Sequence, residues 1–231
     1  MRCRLISELA LKLQLHKQTL SKKNFSQTML SPGSLTDLKI VQYPHPTLRY
    51  RSKPITRVDR ELKSMVREMF ELMYEARGIG LAANQVDLPL QLFILNLASD
   101  PDEGEELVFI NPVLSAPKGV SEAEEGCLSI VGLNAHVARP EQIHVSAYDL
   151  AGNQIDQTVN GLFARAVQHE YDHLQGVLFT DRVAESAKLR VADELQDFEI
   201  EFDNLRATGL IPSDDEILKR LNEVESRYCV T

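Results

Sequence analysis

Residues 169–173 read His-Glu-Tyr-Asp-His, and this short segment constrains the chain more than any other. Side chains four apart lie on one face of an α-helix, so a helix lets His169 and His173 reach a single metal ion. The glutamate between them, Glu170, then sits beside the ion without having to bind it, and can take a proton from water there. Two imidazoles leave a catalytic metal site one protein ligand short. A fold that uses this helix must bring a third ligand from a distant part of the chain. A chance match to His-Glu-x-x-His is expected in roughly 1% of chains this long, so the segment alone is suggestive only.

The surrounding pattern predicts a helix that Gly161 opens and Gly176 closes. Upstream, Asp59 caps a helix to about Arg77, with Leu62, Met65, Val66, Met69 and Met73 as its apolar stripe and Gly78 as its stop. The methionines are core filler. Leu90 to Leu97 reads as a strand with a buried Phe93-Ile94-Leu95 centre. Leu107 to Ile110 reads as a second, ended by Asn111-Pro112, with Asp100 to Glu106 as a solvated turn between them. Ile143, Val145 and Ala147 alternate as a half-buried strand does, Ala151-Gly152-Asn153 turns, and Ile155 to Val159 returns. Val131-Gly132-Leu133-Asn134 reads as a loop, and the Tyr43-Pro44-His45-Pro46 stretch as extended, with His45 structural. After Asp181 the chain is helical and charged to its end, with a break at residues 209–212. Strands in antiparallel pairs flanked by helices favour an α+β fold over a doubly wound sheet.

The 231 residues are 43% apolar and 26% charged, values at which a buried core forms. A net charge of -9 disfavours nucleic acid, DNA included, as a partner of the whole surface. No run approaches the ~20 apolar residues of a membrane span. Three scattered cysteines make no disulfide framework and fit a reducing compartment, so the cytoplasm is the expected location. The first 28 residues carry six basic groups against Glu8, with Ile6, Leu9, Ala10 and Leu13 at helical spacing. That is the pattern of an organelle transit peptide, which would place the protein in a mitochondrion or plastid. The plainer alternatives are a disordered leader or a start at Met29. The expected organisation is an N-terminal extension over 1–37, a catalytic domain over 38–183 and an acidic helical extension over 184–231.

Two further segments carry chemistry. Glu125-Gly126-Cys127-Leu128-Ser129 offers Cys127 as a thiolate ligand, and the amide N–H of Leu128 can point at an oxyanion. Gly78-Ile79-Gly80-Leu81-Ala82-Ala83-Asn84-Gln85 lacks the strand and the Gly-Lys-Ser/Thr of a phosphate loop, but Gln85 can donate to a carbonyl oxygen. Taken singly, the first is a small buried hydrophobe and the second a tight turn. Three alternatives stay open on residue chemistry: another metal amidase or protease, a cysteine hydrolase with Cys127 as nucleophile and His169 as base, and a non-catalytic, metal-stabilised binding protein.

Together and in this order, Gly78 to Gln85, Glu125 to Ser129 and Gln168 to Gly176 resemble the peptide deformylase family. That family is marked by Gly-apolar-Gly-apolar-Ala-Ala-x-Gln, Glu-Gly-Cys-apolar-Ser and Gln-His-Glu-x-Asp-His-Leu-x-Gly. The likeness spans roughly Leu38 to Val183. It implies antiparallel sheets around the His-bearing helix, and removal of the formyl group from formyl-methionine on newly synthesised polypeptides. It implies Cys127, His169 and His173 as ligands of one divalent ion, Fe2+ first and Zn2+ or another ion as alternatives. Glu170 would be the general acid/base, with Gln85 and the Leu128 amide on the oxyanion. Ile79, Gly80, Glu125, Gly126 and Arg139 would flank an extended peptide. Many bacterial members have an arginine seven residues after the cysteine, where this chain has Asn134. Some members dock a basic C-terminal helix on the ribosome; residues 185–231 are acid-rich here, so any ribosome contact is expected to be transient and not through this tail.

Overall fold

The computed structural model describes residues 38–229. Expectations about the N-terminal extension over 1–37 lie outside the described residues. The chain forms α1 (Arg60–Glu75), β1 (Gly80–Ala82), β2 (Leu92–Leu95), β3 (Leu107–Lys118), β4 (Ser121–Cys127), β5 (Ile130–Arg139), β6 (Gln142–Tyr148), β7 (Gln154–Asn160), α2 (Gly161–Leu174), α3 (Glu185–Ala207) and α4 (Asp214–Tyr228). This is the α+β class expected. A five-stranded antiparallel sheet has the order β1-β2-β3-β6-β7, and β4 and β5 form a separate antiparallel ribbon.

The Asp59 carboxylate caps α1 by accepting from the Leu62 amide at 2.9 Å, and all five residues of the apolar stripe are buried. The helix stops earlier than expected, at Glu75. Arg77 takes the left-handed conformation (φ 55°), its N–H bonding Tyr74 O, while the N–H of Gly78 bonds Met73 O. That is a Schellman end with arginine where glycine is usual. Gly78 is small for another reason: a Cβ there would lie 2.6 Å from Leu128 Cδ1.

Two strand readings need correction. β3 does not end at Asn111-Pro112 but continues to Lys118. Its register against β6 shifts between Ile110 and Val113, so Pro112 falls in a bulge where a missing N–H is tolerated. Asn111, at φ 52°, exchanges two 2.8 Å side-chain bonds with the backbone of Ile55. Likewise, Val131 to Asn134 is no loop. It begins β5, whose alternation buries Leu133, Ala135 and Val137 while Gly132 bends the strand at φ 91°. The prolines around His45 do not keep that stretch wholly extended either. Pro46 opens a 3-10 turn, Pro46–Arg49, because its fixed φ suits the first helical position.

Three apolar clusters hold the chemistry-bearing elements in place. α1 packs on β1 and β2 and on Val224 and Tyr228 of α4. α2 places Ala164, Ala166, Val167 and Leu174 against Phe93, Phe109, Ile143, Val145 and Val159 of the large sheet. Residues of β5 meet Leu48, Phe179, Val183 and Val191. The charged side of α3 is solvated, as its composition suggested, yet α4 buries Ile217, Leu221, Val224 and Tyr228 in the main body.

His45 is buried edge-on to Phe202, and its Nδ1 accepts from the Thr47 amide. Burial, together with Arg220 and Arg206 and against Asp214, lowers its pKa to about 4. Below the unfolded value of 6.5 the unfolded chain therefore binds a proton that the folded chain refuses, so stability falls as pH drops from about 6.5 to 4. Urea unfolding at pH 7 and pH 5 should differ by about 1–2 kcal/mol more in the wild type than in His45→Asn, which cannot titrate.

Candidate metal centre and active site

α2 carries His169 and His173 one turn apart, with ring centroids 5.0 Å apart and planes at 71°. Opposite them stands Cys127, the last residue of β4, where the β4–β5 register shifts between Glu125 and Cys127. Such a bulge re-aims a side chain, here toward the helix. Cys127 Sγ lies 3.3 Å from His173 Nε2, and one ligand atom from each of the three residues falls within 4.8 Å of the others. The sulfur also accepts from Gln85 Nε2 and from the Ser129 amide, both at 3.4 Å. Asn84, fully buried, donates to the His173 carbonyl and holds the end of α2.

His169 points Nδ1 at Glu125 Oε2, 3.0 Å away, which leaves Nε2 for the ligand position. Glu125 is held in turn by Arg139 Nε and Nη2 at 2.7 and 2.9 Å, and by Arg165 Nη1 at 2.6 Å. Arg165 also donates to the carbonyls of Val137 and Ser121, so it pairs with an acid and borders the cavity at once. Arg139, expected to flank a bound peptide, is only 3% exposed and does not line the cavity; its guanidinium is taken up by Glu125 and Asp172. Burial alone would raise Glu125, but His169 and Arg139 hold it well below the usual carboxylate range. Burial depresses His173, with His169 and Arg139 adding to the effect. On His169 burial works downward too, yet the Cys127 sulfur and Glu125 outweigh it and push the ring up to about 10.

On the far side of the rings, Glu170 is buried and its Oε2 has no hydrogen-bond partner. Burial, against the pull of His169 and Arg139, raises its pKa to about 7. Its Oε1 is so close to Gly80 that a Cβ there would lie 2.5 Å away, so any larger residue in β1 at this position would displace the Glu170 carboxylate. Gln85 accepts from the Ala82 amide at 2.9 Å through Oε1, which fixes Nε2 toward Cys127 and Ser129 Oγ. The cavity in front of these groups measures about 580 Å³. Ile79, Leu128, Val131, Leu162 and Ala166 supply its apolar lining, and Arg77, Glu124, Glu125, Arg165 and Glu170 its charge. Gly126 lies under Asn134, whose Oδ1 would be 2.4 Å from a Cβ. The sequence reading gave Asp172, Asn84 and Ser129 no role, although Asp172 and Ser129 are fixed positions of the motifs it rests on.

The donor set suits a cation. One thiolate and two imidazoles match a soft or borderline divalent ion. The Cys127 sulfur, Glu125 and Glu170 all favour positive charge at His169, and Glu170 Oε2 is buried without a hydrogen-bond partner. Three converging donor atoms that could hold a metal ion, a neighbouring buried carboxylate and an open cavity on an α+β scaffold fit the class of metal-dependent hydrolases.

The chain belongs to the polypeptide deformylase family, whose profile matches residues 37–189. It is 46% identical over 191 residues to the peptide deformylase of Rhodopirellula baltica, covering 83% of this chain and 95% of that protein. The chloroplastic/mitochondrial peptide deformylase 1B of Arabidopsis thaliana is 41% identical over 186 residues, covering 80% of this chain and 67% of its own. The crystal structure of a plant peptide deformylase superposes with a TM-score of 0.72 at 40% identity, covering 81% of this chain and 99% of that one. A Plasmodium falciparum peptide deformylase gives 0.69 at 38%, covering 74% and 98%. Among the described residues no helix is long and apolar enough to cross a membrane.

Proposed function

We propose that this chain removes the N-formyl group from formyl-methionine at the start of newly made polypeptides and releases formate. The observation that carries this reading is the convergence of Cys127, His169 and His173 on one point, with Glu170 and Gln85 at the floor of an apolar cavity. Cys127, His169 and His173 would hold one divalent ion, Fe2+ first and Zn2+ or another ion as alternatives. When bound, that ion supplies Lewis-acid chemistry, polarising oxygen and making water acidic near neutral pH.

The protein's own groups do the rest. β1 is an edge of the large sheet and β4 belongs to a two-stranded ribbon, so the cavity between them accepts an extended peptide as an added strand. Ile79, Gly80 and Gly126 offer it backbone, and the methionine side chain enters among Ile79, Leu128 and Ala166. Glu170 takes a proton from the attacking water. Gln85 Nε2 and the Leu128 N–H donate to the oxyanion as the formyl carbon becomes tetrahedral. The carbon–nitrogen bond then breaks, Glu170 returns its proton to the departing amine, and formate leaves. Glu125 and Arg139 serve from beneath by fixing the His169 ring. Partners are nascent chains, with at most a transient ribosome contact. We place the protein in the cytoplasm, or in a mitochondrion or plastid should residues 1–28 act as a transit peptide; rice and Arabidopsis relatives are chloroplastic by name.

The test is anaerobic purification, elemental analysis and a formate-release assay on formyl-Met-Ala-Ser. Turnover should vanish on chelation and return with Fe2+. Activity that survives chelation and dies on thiol alkylation would instead make Cys127 the nucleophile.

A further inference from the structure

Asp172 occupies the position just before His173, but its carboxylate bonds arginines and is not among the three converging donor atoms. It is 5% exposed, and its carboxylate is shared by two arginines. Arg139 Nη1 reaches Oδ2 at 2.6 Å, and Arg182 grips both oxygens through Nε and Nη2. Arg139 spends its remaining nitrogens on Glu125, and Glu125 in turn orients His169. An unbroken chain of charge-assisted bonds thus runs Arg182–Asp172–Arg139–Glu125–His169. Of these side chains only Arg182 is substantially exposed, at 44%. It ends the 3-10 turn Phe179–Arg182, next to Val183, which pairs with Val137 of β5. It lines no part of the cavity.

We infer that Arg182 and Asp172 are positioning residues for the metal ligand His169, acting through Arg139 and Glu125 from outside the cavity. The inference rests on the metal-centre reading of Cys127, His169 and His173. A buried carboxylate must keep its partners. With Arg182 gone, Asp172 retains only Arg139 and draws that guanidinium toward itself, away from Glu125. Glu125 then holds the His169 ring less firmly, and the ring is a poorer ligand for it. A merely structural Arg182, pinning the turn before α3, would leave the ion's surroundings unchanged.

The experiment uses the full chain loaded with Co2+, whose visible spectrum reports the ligand field, with affinity measured by chelator competition. Cys127→Ser first establishes that the spectrum belongs to the triad. Arg182→Met should weaken Co2+ binding about 10-fold and alter the spectrum, lowering kcat with KM unchanged. Arg182→Lys should restore most of the affinity. The control is Arg206→Met, which removes a partly exposed pair with Asp214 outside the cavity lining and should change neither reading. Should Arg182→Met match the wild type in affinity and spectrum, the inference is overturned while the metal centre stands. A wild type whose Co2+ spectrum ignores Cys127→Ser overturns both.

Discussion

Replacing Glu170 by alanine should lower kcat by about 10²–10⁴-fold while the protein keeps one ion per chain. The carboxylate lies beside the two ring ligands without being one of the three converging atoms, so its loss removes the proton carrier and spares the grip on the ion. Its Oε2 has no partner to orphan, and the space near Gly80 is relieved, so the fold should tolerate the change. Glu170→Gln, which keeps the shape and loses the base, should be impaired to a similar degree. Elemental analysis, a melting curve and the formate assay on one preparation decide the matter. Near-normal turnover in either variant would end the proton-transfer assignment.

The second large effect is at Cys127. Cys127→Ala should cost both the ion and the activity, because two imidazoles alone make an incomplete site. The loss should exceed the 10–100-fold typical of removing a group that merely orients a ligand. Stability provides an independent reading. An ion at about 100 times its dissociation constant stabilises the fold by about 2.7 kcal/mol. A chelator should therefore lower the Tm of the wild type and leave that of Cys127→Ala unmoved. A Cys127→Ala protein that retains stoichiometric metal and responds to chelation would put the third ligand elsewhere.

The decisive side chains are legible without the fold because they sit in short, regular patterns. A four-residue spacing on a helix needs no tertiary information to bring His169 and His173 to one face, and the α1 stripe is legible for the same reason. The alternation of β6 and β7 is equally local. Less legible were features in which a local signal is overridden from a distance. Asn111-Pro112 reads as a strand end, but the Ile55 backbone takes the side-chain bonds that let β3 run on through a bulge. Val131 to Asn134 looks like a loop until β4 pairs on either side of it, Cys127 with Ile130 and Glu125 with Ala135, and Leu133 is buried among Leu48 and Phe179. Arg77 gives no hint of a left-handed turn, since only the packing after α1 imposes one.

The sequence alone determined the ligand and base types, the helix that presents three of them, the capping of α1 and the α+β class, since each depends on periodicity or on neighbours within a few residues. Tertiary structure alone decided that Cys127 meets the two rings, that Glu125 holds the Nδ1 side of His169, and that Arg139 is buried behind Glu125 and outside the cavity lining. Those contacts join residues 14 to 46 positions apart. Sheet pairing and buried charge balance create them, and neither leaves a periodic trace along the chain.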